Sequence, residues 1–107
     1  MKVFVSSSAR EDILRQFRYY LLEKDALAVA QRFLDAVEST LGKLSLMPDM
    51  GAPKPLANPM FAGLRSISIA GFAAISVYYI HVKKDELRIV RVLHSKRDIN
   101  SLFNDES

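Results

Sequence analysis

Residues 64–94 read LRSISIAGFAAISVYYIHVKKDELRIVRVLH, and the punctuation inside this stretch decides the fold. Val, Ile, Tyr and Phe crowd three runs, Leu64 to Ala70, Phe72 to Val82 and Glu86 to His94. These are the side chains that suit a pleated, half-buried strand. Gly71 alone separates the first two runs, and Lys83-Lys84-Asp85 separates the second from the third. Links this short cannot carry a crossover, so the runs fold back on one another as an antiparallel meander. The third run is apolar at both parities from Leu87 to Leu93, the pattern of a strand covered on both faces, and is expected to be central.

Working outward, Met47 to Ala62 holds Pro48, Pro53, Pro55 and Pro59, all four prolines of the chain, together with Gly51. It reads as a loop with no regular element, dividing a helical half from a strand half. Ahead of it lie two amphipathic patterns. Ser8-Ala9-Arg10-Glu11 has the Ser and Glu spacing that satisfies two orphan amides at a helix start, so a helix is expected from about Ala9. Ala9, Ile13, Phe17, Tyr20 and Leu21 form its apolar stripe, with Arg10, Arg15 and Arg18 off it. Asp25 is expected to cap a second helix, in which Ala26, Val29, Ala30, Phe33, Val37, Leu41 and Leu44 recur at three and four. Only Glu23 and Lys24 intervene, which forces an antiparallel hairpin. Lys2 to Ser6 reads as a short first strand. Arg97 to Phe103 reads as a short last helix with Ile99, Leu102 and Phe103 on one side. The expected fold class is α+β: an N-terminal strand and an antiparallel two-helix hairpin packed on a small antiparallel sheet, in the order β-α-α-β-β-β, closed by a short C-terminal helix, all in a single domain over residues 1–107.

Composition agrees with that picture. The 107 residues suit one domain with one core. A hydrophobic half, a charged quarter and only four glycines exclude disorder and a collagen-like repeat. With no cysteine there is no disulfide framework, thiolate zinc site or cysteine nucleophile, and a reducing cytoplasm is the expected setting. The N-terminus lacks the apolar core of a signal peptide. Ser66 to Val82 is broken by Ser, Gly and His and falls short of the ~20 apolar residues that cross a bilayer, so no membrane association is expected.

Net charge is +3, unevenly placed. From Gly63 to Asp98, seven basic residues (Arg65, Lys83, Lys84, Arg88, Arg91, Lys96 and Arg97) outnumber Asp85, Glu86 and Asp98. Such a face meets nucleic acid, an acidic protein or solvent alone. There is no phosphate loop, no metal-ligand spacing and no nucleophile elbow. His81 and His94 fall near the ends of adjacent antiparallel strands, hence at opposite ends of the sheet, and are not expected to share a metal. Arg91, His94, Lys96 and Arg97 gather within seven residues. One reading makes them an anion cleft in which His94 moves a proton; the other pairs Arg91 and Arg97 with Asp98 and leaves His94 a strand-end residue. By parity Arg65 shares a face with Ile67 and Ile69, and Arg91 with Leu87, Ile89 and Leu93, surroundings in which arginine more often anchors an ion pair than touches substrate.

An ordered set of pieces carries a resemblance. Ala9-x-x-Asp12-Ile13-Leu14, Leu44-x-x-x-Pro48-x-x-Gly51, Leu64-Arg65-Ser66 leading to Gly71-Phe72 and Tyr78-Tyr79, and the closing Ile89-Val90-Arg91-Val92-Leu93-His94-Ser95-Lys96-Arg97-Asp98-Ile99 together resemble the RelE/ParE superfamily of bacterial toxins. The last piece resembles the ParE branch, also called plasmid-stabilisation proteins. The resemblance implies a small α+β toxin neutralised by a cognate antitoxin encoded beside it. It implies one of two activities: ribosome-dependent cleavage of messenger RNA, as in RelE-like members, or poisoning of DNA gyrase, as in ParE-like members, which have no catalytic residues of their own. Beyond Asp98 this chain has neither the Tyr nor the His that nuclease members place there, so the proton donor for RNA cleavage is missing.

The expected function is therefore a ParE-like gyrase inhibitor acting by binding, with no catalytic residues, cofactor or metal. Its partners are the antitoxin and gyrase, nucleic acid is met only in complex if at all, and a homodimer can form when antitoxin is absent. Arg65, Lys96, Arg97, Phe17, Tyr20, Leu21, Phe61, Phe72 and Tyr79 are the expected target and antitoxin contacts. The alternatives are a nuclease using Arg65, Arg91, His94 and Arg97, and a non-toxic member that survives as a binding partner.

Overall fold

A computed structural model describes residues 1–104. Strand β1 (Lys2–Val5) leads through Ser6 into helix α1 (Ser7–Arg18), which ends in a π-helical turn (Tyr19–Glu23) before helix α2 (Leu27–Leu46). A two-residue strand β2 (Ala52–Pro53) and a 3₁₀ turn (Pro59–Phe61) precede strands β3 (Leu64–Ile69), β4 (Phe72–Lys83) and β5 (Glu86–His94). Helix α3 (Ile99–Asn104) follows. The sheet order is β1-β5-β4-β3-β2. The meander is antiparallel as its links require, and β5 is interior, flanked by β4 and by β1, which runs parallel to it. The first strand takes one edge of the sheet, and the α1–α2 hairpin carries the chain over one face to β2 at the other edge. No helix among the described residues is long and apolar enough to cross a membrane.

Each face of the sheet has its own cover. Toward the hairpin, Ala9, Phe33, Val37 and Leu44 pack on Ile69, Ile75, Val77, Tyr79, Leu87, Ile89 and Val92. On the opposite face Phe61 and Phe103 close over Leu64, Tyr78, Val90 and Leu93. Burying both faces of β5 explains its apolar run.

Four local expectations are corrected. The cap of α1 is Ser6, not Ser8: its Oγ accepts the Ala9 amide at 3.0 Å and donates to the Val90 carbonyl at 2.8 Å, so the helix starts where the strand stops. Asp25 does not cap α2. The helical ladder overruns α1, with the Lys24 amide on the Tyr19 carbonyl, and Asp25 takes a left-handed φ of 46° to reverse the chain. The cap position of α2 is Ala26, with no side-chain hydrogen bond. The proline-rich segment is not without structure, because β2 pairs with β3 through Ala52–Ser66 and Pro53–Arg65, an edge position that tolerates proline. Finally, strict alternation fails in β5. Tyr78 lies opposite Arg91 but Tyr79 opposite Ile89, so Val90 is an extra residue, a β-bulge. Past it Val92 continues the hairpin-facing row, and Leu93 turns to the other face, away from Leu87 and Ile89.

Candidate functional site

On the hairpin-facing side of β5, Arg91 reaches α1. Its Nε and Nη2 donate to the Asp12 carboxylate at 2.8 and 3.0 Å, and the Val92 amide donates to the same carboxylate at 3.0 Å. Asp12 is buried, so a single carboxylate is held by a bidentate guanidinium and a backbone amide. Arg15 approaches from solvent at 3.4 Å with its side chain 67% exposed. Arg91 therefore pairs with Asp12 rather than Asp98, whose carboxylate accepts the Ser101 amide at the start of α3. The signal was legible in part: Asp12 lies three residues after Ala9, on the apolar stripe, where a charge requires a partner.

Arg65 closes a second constellation at the other end of the sheet. Its Nη1 donates to the carbonyls of Asp49 and Gly51 at 3.0 and 2.7 Å. The Gly51 amide donates to the Tyr79 hydroxyl at 2.8 Å, and His81 Nδ1 lies 3.1 Å from Asp49 Oδ1. Together these pin the turn that follows α2. A Cβ on Gly51 would lie 2.6 Å from the Tyr79 oxygen and 2.9 Å from the Ser66 carbonyl, so only glycine fits. Burial raises the Tyr79 hydroxyl above the usual tyrosine range, outweighing the Gly51 hydrogen bond and the Arg65 charge that lower it. Tyr78 is raised by burial alone.

His94 stands opposite Ile75 and His81 opposite Leu87, at opposite ends of β4 and β5. Among the described residues no cluster of His, Asp and Glu could hold a metal. The His94 ring is exposed and makes no hydrogen bond among the described residues. Lys96 and Arg97 are exposed in the turn before α3. Of the anticipated apolar contacts, Phe17, Tyr20, Leu21 and Phe72 are half-buried, while Phe61 and Tyr79 are buried and offer no surface. Tyr20, Phe33 and Phe72 form an aromatic cluster with ring centroids 5.4–5.6 Å apart.

Exposed apolar side chains also occur where periodicity did not point. Leu14, Tyr19, Leu22 and Leu27 lie exposed on α1, the π turn and the start of α2, and Leu46 and Met47 project where α2 ends. Leu14 and Leu22 fall off the stripe, and that displacement is the available sequence signal.

A family model described as "ParE toxin of type II toxin-antitoxin system, parDE" matches residues 3–99. No curated protein matches the chain. A solved structure described as the chromosomal ParDE TA system from P. aeruginosa is similar in fold, with a TM-score of 0.56 and 21% identity, over 88% of this chain and 95% of that one.

Proposed function

Since the chain belongs to the ParE toxin family of type II toxin–antitoxin systems, we propose that it inhibits DNA gyrase by binding, in the cytoplasm, as one toxin domain that a cognate antitoxin neutralises. The observation that carries the binding reading over the nuclease one is the commitment of the two strand arginines. Arg91 holds buried Asp12, and Arg65 holds the Asp49–Gly51 turn, so each guanidinium serves the fold. A nuclease needs a general acid oriented within reach of its proton. His94 has no orienting partner among the described residues, and α3 contains neither Tyr nor His.

The contact surface in this reading comprises the half-buried Phe17, Tyr20, Leu21 and Phe72 with the cations Lys96 and Arg97. Phe61 and Tyr79 are buried and Arg65 is held by the Asp49–Gly51 turn, so these three lie outside it. Without antitoxin, a second copy covers the same apolar surface.

Purified chain added to a gyrase supercoiling reaction is expected to block it, and added to cell-free translation to leave messenger RNA intact. Replacing His94 with Gln is expected to preserve growth inhibition in a host lacking antitoxin. Cleaved messenger RNA, or loss of toxicity in the folded Gln variant, turns the reading to the nuclease. Silence in both assays turns it to a non-toxic binding partner.

A further inference from the structure

Two adjoining cavities open where the second half of α1 crosses the His94 end of β5. One of about 300 Å³ is walled by Gln16, Tyr19, Tyr20, Ala74, Ile75 and His94. The other, of about 110 Å³, lies over Asp12 and is rimmed by Arg15, Gln16, His94 and Arg97. Gln16 and His94 line both, so they form one groove with an aromatic, apolar end and a cationic end.

Charge at the cationic end is unbalanced. The Asp12 carboxylate is already neutralised by Arg91 at 2.8 Å, which leaves Arg15 a second cation on one anion. Arg97 makes no ion pair among the described residues. Two guanidinium groups therefore border the groove with spare donors, in the geometry that favours a carboxylate. At the other end Ala74, Ile75 and the two tyrosine rings leave room for one large apolar side chain.

We infer that this groove is a specificity pocket for the antitoxin, taking an Asp or Glu carboxylate between Arg15 and Arg97 and a Leu- or Phe-sized side chain between Tyr19 and Ile75. The inference rests on the toxin–antitoxin reading and names the chemistry of its partner. A nucleic-acid strand can stack a base on the tyrosines, but it fits less well because its backbone asks for cations along the whole groove and here they stop at the Arg15–Arg97 end.

The test is calorimetric titration of the whole chain with the protein encoded by the reading frame beside its gene, repeated with an octathymidine strand. Arg15→Glu with Arg97→Glu, and separately Ala74→Phe at an exposed strand position, are each expected to weaken protein binding at least tenfold. Arg32→Glu with Lys43→Glu, an equal charge change on exposed positions of α2, is expected to alter it less than threefold. Arg15→Ala with Arg97→Ala serves if the reversal unfolds the chain. Groove variants that bind like the parent overturn the inference and leave the toxin reading standing. An equal loss in the α2 variant overturns it in favour of general charge attraction. Capture of the octathymidine strand, lost on groove reversal while protein affinity holds, overturns it in favour of nucleic acid. If the neighbouring protein fails to bind the parent chain, the toxin–antitoxin reading falls and takes the inference with it.

Discussion

Asp12 concentrates more of the fold's electrostatics than any other carboxylate described. Removing it takes from the half-buried Arg91 guanidinium and from the Val92 amide the carboxylate they share, and breaking a buried pair from one side costs about 3–5 kcal/mol. Asp12→Ala is expected to lower the urea midpoint accordingly. Arg15→Ala, which removes only the exposed partner, is expected to cost less than about 1 kcal/mol. The buried tyrosines add a pH dependence. An unfolded tyrosine ionises near pH 10, but Tyr78 and Tyr79 hold their protons to higher pH in the folded chain. Between those two ranges the native state binds more protons than the unfolded one, so stability falls as pH rises past about 10. Urea midpoints at about pH 8 and about pH 11 are expected to converge when both residues are Phe, relative to the parent.

The shortest of the three α-helices among the described residues, α3, depends most on one residue. Phe103 is fully buried, 4.8 Å from the Phe61 ring and 5.8 Å from Tyr78, and it secures six helical residues over the second face of the sheet. An isolated helix this short has no stability of its own. Phe103→Ala is expected to cost about 3–5 kcal/mol and to expose Tyr78, Val90 and Leu93. Dye binding to the folded variant measures that exposure, and an unchanged midpoint would show that α3 contributes nothing. The bulge in β5 acts at the same scale, since a single extra residue lets Val92 join the hairpin-facing core and turns Leu93 to the face that α3 covers.

For the molecule as a whole, the excess of positive charge governs how fast it meets its partners. Lys96 and Arg97 are exposed beside the His94 end of β5. Steering by exposed charges raises association rates and is screened by salt. Reversing both to Glu is expected to slow association with the antitoxin and with gyrase several-fold at low salt and to flatten the salt dependence. Rates measured at two salt concentrations decide it: no change for either partner would leave Lys96 and Arg97 merely solvated.

The sequence alone determined the elements whose signals are local. Three strands divided by Gly71 and Lys83-Lys84-Asp85 form a meander because short links leave no other path, and the stripes from Ala9 to Leu44 form a hairpin for the same reason. It also carried the family, through an ordered set of pieces spread along the chain. What it withheld depends on contacts distant in sequence. Ser6 outcompetes Ser8 as a cap because its hydroxyl also reaches Val90, 84 residues away. Arg91 goes to Asp12, 79 residues away, rather than to nearby Asp98, because α1 packs on the hairpin-facing side of β5 while Asp98 turns to the start of α3. The groove between Arg15 and Arg97 follows from that crossing of α1 over β5. Periodicity reports which face a residue takes, whereas a partner across the fold is chosen only when the elements pack.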